Sequence, residues 1–142
     1  GLATVVLYAH TGSFGSTGVP TGTALATSNT FDISTLTNTA APVNFTFSGT
    51  NIYQLTANTQ YCLVFQDPTS GTMGASNRVE ISIAYPNGSY EGNLLEWANR
   101  GWTTQHAAWD TIFYAYGNIT PINNVGSGTV YHDNILNNVW TP

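Results

Sequence analysis

Two stretches of this chain alternate apolar and polar residues, the first without a fault, and that alternation limits the fold more than any other feature. Val43-Asn44-Phe45-Thr46-Phe47-Ser48 does so, and Arg78-Val79-Glu80-Ile81-Ser82-Ile83-Ala84-Tyr85 does so over a longer run. Successive side chains of an extended backbone point to opposite faces, so a period of two builds a half-buried strand and cannot line one side of a helix. Ala3 to Tyr8, Tyr61 to Phe65 and Thr111 to Tyr116 are apolar on both faces, as central strands of a packed sandwich are. Shorter strand candidates are Ala24 to Thr27, Phe31 to Ile33, Ile52 to Leu55, Leu94 to Trp97, Thr129 to His132 and Ile135 to Trp140.

Turn formers separate these runs: Gly12 to Gly18, Asp67 to Gly71, Pro86 to Ser89 and Gly126 to Gly128. Gly92 to Arg100 is the only helical candidate, and its glycine and two Asn favour strand or loop. The pattern predicts an all-β fold, an antiparallel sandwich of jelly-roll type with about 8 to 10 strands. With 142 residues and no internal linker, the chain fits one sandwich domain over residues 1–120. Residues 121–142, rich in Asn, Gly and Thr, read as a C-terminal tail or added strand.

Composition bears on where such a fold works. Charged residues are 6% of the chain against about 25% in ordinary soluble proteins. Lysine is absent, Arg78 and Arg100 are the only strong bases, and the net charge is −5. Nucleic acid and anionic membranes are poor partners for it, because both are bound through clustered positive charge. Solubility rests instead on 22 Thr, 15 Asn and 10 Ser. A neutral, hydrogen-bonding surface with little electrostatic protection against self-association fits an extracellular, cell-surface or virion-surface protein that assembles. No run approaches the ~18 apolar residues of a membrane helix, and no secretory leader is visible, so a secreted form has already lost it. Cys62 is single, in the apolar run Tyr61 to Phe65, and reads as a buried core thiol.

The order of segments carries a resemblance. Leu7-Tyr8-Ala9-His10-Thr11-Gly12, Gly18-Val19-Pro20-Thr21-Gly22, Val43 to Gly49 and Leu55 to Val64 are similar to segments of the extracellular β-sandwich domains called choice-of-anchor domains. Gly92-Asn93, Gly101-Trp102-Thr103 and Asp110 to Gly117 resemble the end of that domain, so the likeness spans roughly residues 2–117. The family occurs in bacterial and archaeal surface proteins and in phage structural proteins. The resemblance implies a jelly-roll-like module of appendages, adhesins, fibres or surface enzymes, and it names no catalytic residue.

Members of that family carry a further strand upstream of the position of Ala3, so the resemblance also implies a sandwich one strand short. Three arrangements answer this: a processing boundary, a strand supplied by another subunit, or return of the chain's own tail. Val130, Ile135, Leu136, Val139 and Trp140 make the tail apolar enough to act as donor.

Chemistry-bearing clusters are few. Trp97, Trp102 and Trp109, with Tyr85 and Tyr90, could present ring faces to the C–H face of a sugar. Asn93, Glu96, Asn99, Gln105 and Asp110 would hold its hydroxyls, although burial in a core or at a subunit contact explains the same aromatics. His10, His106 and His132 are far apart in sequence, and no metalloprotease, nucleophile-elbow, phosphate-loop or EF-hand pattern occurs. Glu80, Glu91, Glu96 and Asp110 satisfy a two-carboxylate glycosidase on number alone. Asp67, Asp110 and Asp133 are weak calcium candidates, and no other cofactor or metal is expected. Sequons stand at Asn44, Asn87 and Asn118, about what chance gives at this content of Asn, Ser and Thr. The expected role is therefore that of a non-catalytic structural or adhesive subunit of a surface filament, fibre or virion appendage, joined to copies of itself by strand complementation. The alternative is a carbohydrate-binding module using the late Trp and Tyr residues.

Overall fold

A computed structural model describes residues 1–66, 79–81, 83–84, 94–98, 101–106, 110–111, 115–117, 132–134 and 138–140. Among them are ten strands and two 3-10 turns, with no α-helix. The chain is all-β, and its principal sheet is antiparallel.

That sheet is organised around β1 (Leu2–Thr11). On one edge β1 pairs with β2 (Val19–Thr27), and on the other with β4 (Tyr61–Gln66), where Thr4 to Ala9 run opposite Gln66 to Tyr61. β3 (Phe31–Asp32) pairs with Leu2 and Ala3. The partners Val6↔Thr27 and Ala3↔Phe31 place β3 on the edge that β2 occupies, shifted by one residue. Ser28 bridges that shift. Its amide donates to the Val5 carbonyl at 2.9 Å, and its hydroxyl accepts the Val5 N–H at 2.9 Å while donating to the Asn29 carbonyl at 2.8 Å. A serine buried at 6% exposure thus replaces the ladder bond lost at the irregularity. The expected vacancy beside Ala3 to Tyr8 is not there: both edges of the first strand are paired by its own chain.

The β1–β2 hairpin turns through Ser13–Thr17, where the Ser13 carbonyl accepts from the amides of Ser16 and Thr17. Gly12, at φ +87°, opens that turn in the left-handed region, which glycine enters without cost. Pro20 opposite His10 removes a donor from β2, whose one ladder partner among the described residues is β1.

Register assigns the faces. Tyr61, Leu63 and Phe65 stand opposite Ala9, Leu7 and Val5 and share one face with them. Over it lies the chain from Val43 to Leu55. The Phe45 ring meets Phe31 at 5.8 Å and Phe65 at 6.1 Å, both edge to face, and Phe47 and Leu55 pack on Leu7, Ala26 and Tyr61. Tyr53 meets Tyr61 edge-on, and the Tyr61 hydroxyl accepts the Thr56 amide at 3.1 Å. On the opposite face Val6, Cys62 and Val64 are also buried. The principal sheet thus carries buried side chains on both faces.

Several strand expectations change in detail. Ala24 to Thr27 extends back to Val19, and Phe31 to Ile33 yields to a 3-10 turn at Ile33–Thr35 after Asp32 caps the Ser34 amide. Among the described residues of the second alternating run, Ile83–Ala84 (β5) is in a ladder, paired with Asp110–Thr111 (β8), while residues 79–81 lie outside any strand. Ile52 to Leu55 forms no strand, since a 3-10 turn at Gly49–Asn51 leads into it. Gly92 to Arg100 contains β6 (Leu94–Ala98), whose partner β7 (Gly101–His106) was not among the expected strands.

Candidate functional site

Three places hold candidate residues: the late hairpin, the tail and the stretch 43–48. The first is the late hairpin. β6 and β7 set Trp97 opposite Trp102 and Glu96 opposite Thr103. Directly opposed positions of an antiparallel pair belong to one face of the ladder, so two of the proposed sugar-platform residues are brought to one place. Trp102 is half-buried. Gln105 lies further along β7, and Asp110 lies in β8. Trp109, Tyr85, Tyr90, Asn93 and Asn99 fall outside the described residues.

The second is the tail. His132–Asn134 (β9) and Asn138–Trp140 (β10) form an antiparallel hairpin, with Val139 opposite Asp133 and Trp140 opposite His132. Among the described residues this ladder has two strands only. Val130, Ile135 and Leu136 fall outside the described residues.

The third is Val43 to Ser48, whose alternation predicts a strand and which is not one. Residues 43–48 keep the alternation of a strand, with Val43, Phe45 and Phe47 half-buried and Asn44, Thr46 and Ser48 exposed, and Ser48 is extended at φ −141°, ψ 159°. Yet the stretch belongs to no ladder. Among the described residues the backbone of 43–47 makes one hydrogen bond, from the Asn29 amide to the Thr46 carbonyl at 2.7 Å, and Ser48 Oγ donates to Asn29 Oδ1 at 3.0 Å. Beside its start lies a cavity of about 450 Å3 lined by Phe31, Leu36, Pro42, Val43 and Asn44 among others. None of its lining residues is ionisable, so this cavity offers apolar contact and hydroxyl hydrogen bonds rather than proton transfer.

Electrostatics are correspondingly quiet. No charged side chain occurs from Ile33 through Gln66, a signal plain in the sequence that total composition conceals. Hydrogen bonds from Ser34 hold the exposed Asp32 carboxyl below its usual range. Burial pushes the Cys62 thiol up to about 11, which leaves it protonated and a poor nucleophile. Among the described residues no three His, Cys, Asp or Glu side chains gather as a metal site would require. Of the calcium candidates, Asp110 and Asp133 lie in β8 and β9, and Asp67 is outside the described residues. Asn44 is exposed, and Asn87 and Asn118 are outside the described residues. No helix among the described residues is long and apolar enough to cross a membrane.

Comparison with protein families, with curated proteins and with solved structures finds no match to this chain.

Proposed function

We propose that this chain is a non-catalytic structural and adhesive subunit of an extracellular filament, fibre or virion appendage, with a jelly-roll-like sandwich that joins copies of itself through shared strands. The tail carries this proposal. Isolated two-stranded hairpins are marginal in water, and three strands or a packed face are needed for independent stability. β9 and β10 are each three residues long, pair only with each other among the described residues, and bring Val139 and Trp140 with them. A neighbouring subunit would supply what this ladder lacks, with the hairpin given to a free edge of that neighbour rather than to β1, whose two edges are already paired. The scarcity of charge supports the same conclusion, since little repulsion opposes contact between copies. Such a role uses self as partner, needs no cofactor, and suits a cell or virion surface.

Negative-stain electron microscopy and light scattering of the full chain test it. Polymers, lost on removal of residues 129–142, are expected. A monodisperse monomer whose stability is unchanged by that removal would refute donor exchange.

The opposition of Trp97 and Trp102 favours a second role, binding of carbohydrate at the β6–β7 hairpin. Sugar stacking there predicts a change in Trp fluorescence on titration, abolished by Trp102→Ala. A glycan array without signal counts against it.

A further inference from the structure

Residues 43–48 keep a strand's alternation of burial without joining a ladder, and their open edge has a definite chemistry. The Asn29 amide bonds the Thr46 carbonyl, so the backbone groups of the even positions face Asn29. In an extended chain the N–H and C=O of one residue point the same way and those of the next residue point oppositely. The N–H and C=O of Val43, Phe45 and Phe47 therefore line the other edge, and among the described residues none of them has a partner. Unpaired backbone groups at a strand edge are a template for another strand. Proteins blunt such edges with Lys, inward charges or proline, and here only Pro42 precedes the segment, with no charge from Ile33 to Gln66.

We infer that this edge docks the same edge of a second copy, antiparallel about a two-fold axis at Phe45. The sequence fits itself under that operation. Val43 falls opposite the other copy's Phe47, Phe45 opposite Phe45, and Asn44 opposite Thr46, so apolar meets apolar on the sheet-facing side and amide meets hydroxyl on the outer side. Phe45 forms the hydrogen-bonded pair with its counterpart, and Asn44 with Thr46 forms the closer, non-hydrogen-bonded pair. A contact of this kind is isologous, each patch meeting its own copy. All members of the set carry the same net charge of −5, so a face that meets its own copy has to be neutral, and this one is. The inference rests on the assembly proposal only in taking a copy of this chain as partner, and it uses none of the tail.

Asn44 and Thr46 are exposed, so substitutions there leave the fold intact and read the contact alone. Mixing full chains that carry N44C with full chains that carry T46C under mild oxidation should give a covalent dimer, with little from either chain alone. Cys62 is buried and stays silent. N44K/T46K sets two like-charge pairs across the axis and should weaken the association seen by sedimentation velocity roughly tenfold. N44K/T46E sets opposite charges there and should restore it. Absence of the mixed cross-link, or equal weakening by both charge variants, overturns the edge pairing. If the wild-type chain still polymerises in that event, the tail proposal stands alone, whereas a wild-type monomer at every concentration removes both.

Discussion

Replacing Phe45 probes how residues 43–47, whose backbone makes one hydrogen bond among the described residues, are held on the protein. Its ring is half-buried, so its area contributes about 1 kcal/mol, half of what full burial of a phenylalanine gives. It also makes two edge-to-face contacts, with Phe31 at 60° and with Phe65 at 82°. Each such pair adds about 0.5–1.5 kcal/mol beyond area. Phe45→Ala should then cost roughly 2–4 kcal/mol, and no large cavity penalty is added because so lightly tethered a segment can collapse. Phe45→Leu keeps most of the area and removes only the ring geometry, costing about 1–3 kcal/mol. Urea denaturation of both variants, done where the chain is dilute and unassembled, gives the two numbers. A double-mutant cycle of Phe45→Leu with Phe65→Leu isolates the pair and should return a coupling of about 0.5–1.5 kcal/mol. Coupling below about 0.3 kcal/mol, or a Phe45→Ala loss under about 1 kcal/mol, would show that residues 43–48 do not lie on the sheet.

Other expectations follow from single contacts. Ser28→Ala leaves the Val5 N–H without its acceptor at the β2–β3 irregularity and should cost about 1–3 kcal/mol, measured by thermal or urea unfolding. Gly18→Ala drives a methyl group into the His10 imidazole, whose Nε2 is buried without a partner among the described residues, and overpacking there should cost about 1–3 kcal/mol. Adding His10→Ala should recover part of that loss. The Cys62 thiol, raised to about 11 in the fold against 9.0 ordinarily, should not react with a thiol reagent at pH 8 until the protein unfolds. The unfolded thiol loses its proton first, so the Cys62 contribution to stability is whole below pH 9 and falls as pH rises to 11; Cys62→Ala should flatten that limb.

The all-β class was legible because period-two alternation and apolar runs are local properties, and β1 and β4 lie where the runs Ala3 to Tyr8 and Tyr61 to Phe65 placed them. What alternation cannot tell is whether a strand finds a ladder. Val43 to Ser48 has the cleanest pattern in the chain, yet it joins no ladder and is held mainly by its side chains, since both edges of β1 are already filled by β2 with β3 and by β4. β7 is silent in the sequence for the converse reason: Thr103, Thr104 and Gln105 give no apolar period, and its place in a ladder comes from β6 beside it. The Trp97 and Trp102 pairing was half legible, in that both were named while nothing local fixed their register. Ser28 gave no sign at all, because a serine becomes structural only where a ladder misses a step.

Two kinds of contact have different consequences for assembly. A hairpin given to a neighbour is heterologous, with donor and acceptor on different parts of the chain, and such a contact does not close unless its rotation happens to form a ring. The edge of Val43 to Phe47 is isologous and closes as soon as two copies meet. Together they would make a strand of subunits running one way and a second strand running the other, held back to back at Phe45. The tail alone would give single polar strands, and the edge alone would give dimers. The ratio of paired to single strands in micrographs of N44K/T46K against wild type therefore separates the two contacts, and a shift from paired to single is the expected result. Unchanged pairing would place the lateral contact elsewhere on the neutral surface.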